Sequence, residues 1–131
     1  IWHWDDRYVS AKGLFKMYKP FAELVSNINP EFEEFSSEDY STEKVYCSIL
    51  RGKNITLGLI RNRCDSWQNV LRDNNDTESI DNVIINFNNY NQFECKTIKI
   101  WEDDTTEIEA TENSLQFSNL KYGTFFYLKR S

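Results

Sequence analysis

Two alternating apolar runs joined by one glycine-bearing turn constrain the fold of this chain more than any other stretch. Val45, Cys47 and Ile49 share one side of the first run, and Ile55, Leu57 and Leu59 share one side of the second. Side chains on an extended strand alternate between faces with a period of two, so each run reads as a half-buried strand. Arg51-Gly52-Lys53 lies between them, and glycine supplies positive φ where a tight hairpin needs it. A loop of Gly52-Lys53 alone pairs Leu50 with Ile55 and sends the two apolar sets to opposite faces. A loop one residue longer sets Ile49 beside Ile55, Cys47 beside Leu57 and Val45 beside Leu59. That register gives one continuous core face and is the one expected.

The runs downstream are short, strand-like and separated by turn residues. Ser66–Leu71 reads as a weak strand, followed by the polar turn Asp73-Asn74-Asn75-Asp76. Val83, Ile85 and Phe87 alternate, as do Ile98 and Ile100 and then Thr106, Ile108 and Ala110. Leu115 with Phe117, and the closing run Thr124–Lys129, complete the set. The expectation is a mainly β fold, an antiparallel β-sandwich of about eight strands with one short N-terminal helix. Its core should hold Ile49, Ile55, Leu57, Leu59, Val83, Ile85, Phe87, Ile98, Ile100, Phe117 and Leu128.

Upstream, the pattern differs. Residues 1–30 form an N-terminal aromatic segment and a helix: Phe21, Leu24, Val25 and Ile28 fall at helical spacing, Pro20 suits the first turn, and Asn29-Pro30 ends it. Residues 31–43 are an acidic connector apolar only at Phe32, Phe35 and Tyr40, and residues 44–131 are the sandwich domain. The chain opens Ile1-Trp2-His3-Trp4, without an initiator methionine, so it is expected to be an excised or processed piece of something longer.

Composition excludes several classes. With 131 residues, 40% hydrophobic and 15% aromatic, the chain can bury a core without metal or disulfide staples. A net charge of −6 argues against nucleic-acid or anionic-membrane partners, which are held by Lys and Arg. No apolar run approaches the roughly 20 residues of a membrane span. Cys47, Cys64 and Cys95 are an odd count without C-x-x-C spacing and read as buried free thiols. No cofactor and no metal are expected: Glu102, Asp103 and Asp104 lack the EF-hand spacing. His3, the sole histidine, has no nucleophile elbow beside it. The adjacent pairs Asp5-Asp6 and Asp103-Asp104 point apart on an extended chain, whereas sugar hydrolysis needs two facing carboxylates. Asn54-Ile55-Thr56 and Asn75-Asp76-Thr77 match the N-glycosylation sequon, which matters only in a secreted eukaryotic protein.

The runs Ser10-Ala11-Lys12-Gly13-Leu14-Phe15 and Lys19-Pro20-Phe21-Ala22-Glu23-Leu24 resemble the final segment of many retaining glycoside hydrolase barrels. Ile98-Lys99-Ile100-Trp101-Glu102, Leu115-Gln116-Phe117 and Phe125-Phe126-Tyr127-Leu128 are similar to the last strands of the small sandwich that follows such barrels. The resemblance implies a non-catalytic C-terminal accessory domain, with the parent catalytic domain as partner and an extracellular or cell-surface setting. The catalytic glutamates of those families lie on earlier barrel strands, so none is carried over.

The residues themselves leave two other functions open. Sugar faces stack on exposed rings flanked by amides and carboxylates, and an autonomous carbohydrate-binding module would use Trp67, Tyr90, Trp101, Trp2 or Trp4 to hold an oligosaccharide. Asp65, Gln68 and Asn69 flank the first of these rings and Asn89 the second. An immunoglobulin-like protein-interaction domain would use the same sandwich without a stacking ring. Solvent exposure of Trp67 and Trp101 separates a stacking platform from core packing.

Overall fold

The computed structural model describes residues 13, 16, 18–87, 93–98, 104–111 and 113–130. In chain order they form helix α1 (Lys19–Val25), the single-turn helix α2 (Pro30–Glu33) and strands β1 (Ser36–Asp39), β2 (Val45–Arg51) and β3 (Ile55–Asn62). A π-helical turn (Gln68–Arg72) follows, then β4 (Val83–Asn86), β5 (Phe93–Ile98), β6 (Glu107–Ala110), β7 (Ser114–Ser118) and β8 (Gly123–Arg130). One antiparallel sheet has the order β1-β2-β3-β8-β5 and the other β4-β7-β6. The mainly β sandwich expected from alternation is what the chain forms.

The β2–β3 hairpin forms in a register different from the expected one. The Gly52 N–H donates to the Ile55 carbonyl at 2.8 Å, so the turn is Lys53-Asn54. Val45 then faces Asn62, Cys47 faces Ile60 and Ile49 faces Gly58. Thr56, Gly58, Ile60 and Asn62 are the core face of β3, while Ile55, Leu57 and Leu59, expected inside, lie half-buried on the outer face. Phe126 explains the choice. It pairs with Gly58 across β3 and β8, and its ring fills the space that any β-carbon at Gly58 would need. The positive φ expected of Gly52 is not used either: Gly13 is the positive-φ glycine among the described residues. Crowding accounts for Gly52, where a β-carbon would lie 2.7 Å from the Ile55 carbonyl oxygen and 2.9 Å from the Phe35 ring.

Between the sheets the core joins Val45, Cys47, Ile49, Ile60, Phe126 and Leu128 from one side to Val83, Ile85, Phe87, Leu115, Phe117 and Leu120 from the other. Phe126 contacts Phe117 and Phe87 across the interface, with ring centroids 5.6 and 6.4 Å away. Fully burying each such side chain contributes about 1.5–3 kcal/mol. Of the expected core, Ile49, Val83, Ile85, Phe87, Phe117 and Leu128 are buried; Ile100 and the side chain of Ile98 fall outside the described residues.

Two segments take structures the sequence did not suggest. Ser66–Leu71 is no strand. Asn69 donates its side-chain amide to the Cys64 carbonyl, and Val70 N–H bonds the Ser66 carbonyl, so local bonds compete successfully with a ladder and a π-helical turn results. Conversely, the acidic connector supplies α2 and the edge strand β1. Asn29 caps α2 by accepting from the Glu31 and Phe32 N–H groups. Glu33, 4% exposed, accepts from Asn54 and Ile55 N–H at 2.8 and 3.1 Å and so holds the hairpin tip. Arg51 grips β1 through Glu38 at 2.6 Å, and its Nη2 also donates to the Tyr40 hydroxyl.

Helix α1 is shorter than the expected Pro20–Ile28, but its apolar stripe is as read: Phe21, Leu24, Val25 and Ile28 are half-buried and the intervening residues exposed. Phe21 packs on Phe125, 5.1 Å between centroids, on the outer face of the five-stranded sheet. Residues 1–9, which the likeness to a barrel end leads one to expect unpaired with any sandwich strand, lie outside the described residues.

Candidate functional site

The chain leaves β3 through Asn62, and this side chain organises one end of the sandwich. Asn62 is 1% exposed. Its Nδ2 donates to the carbonyls of Glu78 at 2.7 Å, Lys121 at 3.0 Å and Leu120 at 3.4 Å. Its Oδ1 accepts from Cys64 N–H at 3.0 Å. A single buried amide therefore ties together the turn after β3, the segment before β4 and the loop between β7 and β8. Ile80 and Leu120 add a two-bond bridge between the last two of these.

The π-helical turn is fastened to this frame by amide chemistry. Asn69 Nδ2 donates to the Cys64 carbonyl at 2.9 Å, Asn75 Nδ2 donates to Asn69 Oδ1 at 2.9 Å, and Asn75 N–H bonds the Asn69 carbonyl at 2.9 Å. Asn74 makes the reversal at φ 52°, a left-handed conformation that asparagine tolerates. The result is a polar cleft of about 330 Å³ lined by Cys64, Asn69, Asn75, Asp76 and Glu78. An adjoining recess of about 410 Å³ shares Cys64 and Glu78 and continues past Lys44, Arg63 and Asp81. Arg63, on the wall of that recess, holds its guanidinium 3.9 Å above the Tyr46 ring centroid.

Trp67 heads the π-helical turn, between Cys64 and Asn69 in the chain, and is 63% exposed; Leu71, four residues on, is 78% exposed. A large indole left in water on a turn pinned by hydrogen bonds is available for stacking. Of its expected neighbours, Gln68 is exposed while Asp65 and Asn69 are half-buried. The structure brings only Asn69 of these three into the cleft; the Asp65 carbonyl accepts from Arg61. Tyr90, Trp101, Trp2, Trp4 and Asn89 lie outside the described residues. Sequence reasoning missed Asn62, Asn75, Asp76 and Glu78. The polar run at 73–76 was visible as a turn, but nothing local shows that a turn will close against the exit of β3.

Other chemistry is muted in the described part of the chain. No disulfide joins the thiols, and Cys64, expected buried, is exposed. Burial pushes the Cys47 thiol up to about 12, helped by the nearby Asp39 charge, and pushes Cys95 up to about 11. Neither is a nucleophile at neutral pH. Among the described residues no group of three His, Cys, Asp or Glu side chains is placed to hold a metal ion, and no helix is long and apolar enough to cross a membrane. Comparison with known proteins returns no matching protein-family model, no matching curated protein and no matching solved structure.

Proposed function

We propose that this chain is a non-catalytic accessory β-sandwich of a carbohydrate-active protein, and that its own contribution is to hold glycan against Trp67. The observation that carries the reading is the exposed indole heading a turn that is pinned by hydrogen bonds. A sugar presents a C–H face to the ring and hydroxyls to flanking amides and carboxylates, and this end of the sandwich offers both kinds of partner. The parent catalytic domain is the proposed neighbour, in an extracellular or cell-surface setting, as the likeness of residues 10–24 and 98–128 to a barrel end and its trailing sandwich suggests. The outer face of the five-stranded sheet supports a seating role. There Phe21, Leu50, Leu57, Leu59 and Phe125 line an apolar groove of about 230 Å³.

One ring and one small cleft offer little area to offset association entropy, so dissociation constants should be on the order of micromolar to millimolar. Titrating the protein with soluble oligosaccharides should shift tryptophan fluorescence, and Trp67→Ala should remove both the shift and the binding heat. Undiminished binding in Trp67→Ala refutes the assignment.

A further inference from the structure

The fold places the two glycosylation sequons in unlike surroundings. Asn54-Ile55-Thr56 begins at the tip of the β2–β3 hairpin. The Asn54 backbone is fixed on both sides: its N–H donates to the buried Glu33 carboxylate at 2.8 Å, and its carbonyl accepts from the Arg130 N–H at 2.8 Å. Its side chain stands in solvent, and among the described residues no hydrogen bond engages the side-chain amide. In Asn75-Asp76-Thr77 the nitrogen that would carry a glycan is the one that donates to Asn69 Oδ1, within the turn headed by Trp67. Strand β3 separates the two places. Its 8 residues run roughly 25 Å from the Asn54 end to Asn62, the end to which the Trp67 turn is fastened.

From this contrast we infer that Asn54 is an N-glycan attachment site, placed so that the glycan disturbs neither the fold nor the Trp67 end of the molecule. The inference rests on the extracellular setting proposed above and adds passage through a eukaryotic secretory route. In the transfer, Asn54 Nδ2 forms a bond to the anomeric carbon of an oligosaccharide carried on a lipid pyrophosphate. The bond from that carbon to the pyrophosphate oxygen breaks, the lipid pyrophosphate leaves with the electron pair, and one of the two amide protons passes to solvent. The sequon is read together with its threonine, yet Thr56 is 2% exposed and pairs with Leu128 of β8. Attachment therefore precedes closure of the sheet. Synthesis of the stretch from Thr56 to Gly123, where β8 begins, takes about 3–13 s at ~5–20 residues per second, and through that interval the sequon stays open.

The test is expression of the whole chain behind a secretory leader in cultured insect cells. Glycans are released from total cell and medium protein by an amidase in heavy-oxygen water, which converts each occupied asparagine to a labelled aspartate. Asn54 should carry the label, and Asn54→Gln should lose the matching shift on a gel. The Asn54 glycoform should melt within about 2 °C of Asn54→Gln, as expected of a change at an exposed position. Chain already folded before it meets microsomal membranes should stay unmodified. An unlabelled Asn54, a larger fall in melting temperature, or modification of the prefolded chain overturns the inference. None of these results touches the oligosaccharide titration of Trp67→Ala, and loss of the Trp67 reading in that titration leaves a labelled Asn54 standing, so the two failures are distinguishable.

Discussion

Replacing Asn62 with alanine should be among the costliest single polar substitutions in the described fold. The side chain is fully enclosed and makes four hydrogen bonds to backbone groups of three different segments, three of them at 3.0 Å or shorter. Each such bond is worth a net ~0.5–1.5 kcal/mol, and a group left unpaired away from water costs more than the mean. The loss should therefore be about 2–4 kcal/mol. For 131 residues, an unfolding entropy of ~2.1 cal/mol/K per residue gives ~0.28 kcal/mol/K, so the melting temperature should fall by about 7–14 °C. Asn62→Asp should cost at least as much at neutral pH, because a carboxylate then faces three carbonyl oxygens. Urea denaturation followed by circular dichroism measures both, with Asn69→Ala as control, since Asn69 makes comparable bonds at the rim and should lose less than ~1 kcal/mol. A loss for Asn62→Ala within ~1 kcal/mol of wild type, or equal to that of the control, would refute the claim that this amide holds the end of the sandwich together.

Two further outcomes are expected. Gly58→Ala should destabilise by ~1–3 kcal/mol through collision with Phe126, and Phe126→Leu, itself destabilising, should recover part of that loss in the double variant; strict additivity in a thermodynamic cycle would contradict the proposed contact. A disulfide-exchange reagent at neutral pH should modify Cys64 alone in the folded protein, with Cys47 and Cys95 reacting only on unfolding. Their thiol pKa values are raised in the fold to about 12 and about 11, so the stability they contribute is complete below the unfolded thiol pKa and is lost as pH climbs through the folded ones. Two fast-reacting thiols in the native state would be inconsistent with that burial.

Period-two alternation was enough to place most strands, because a half-buried strand writes its burial into the sequence. β2, β4 and β7 each bury alternate residues as read. β3 misled because it is apolar on the face that looks away from the core and presents Thr56, Gly58 and Asn62 to the inside. Hydropathy alone ranks those sides wrongly. What decides between them is a ring on β8, remote in sequence, that needs the gap at Gly58. The stretch at 66–71 misled for the opposite reason, since its apolar residues hint at a strand while Ser66 and Asn69 satisfy the backbone locally. At the candidate site Trp67 was legible as an aromatic among polar neighbours. The neighbouring cleft was not, because Glu78 is placed through its carbonyl tied to Asn62 and Asp76 follows Asn75, which is bonded to Asn69, and a backbone carbonyl has no sequence signature.

The two strands of the central hairpin carry unequal freedom to change. Along β2, Tyr46, Ser48 and Leu50 stand clear of the core, so selection for folding alone leaves every second position open to drift. Along β3 each residue from Ile55 to Ile60 is at least half-buried, with Phe126 pressing on one side and Phe125 with Phe21 on the other. A lineage of such domains adapting its outer surface to new neighbours would write the changes onto β2 and α1 and keep β3 nearly fixed. Anyone redesigning that surface has the same two elements to work with.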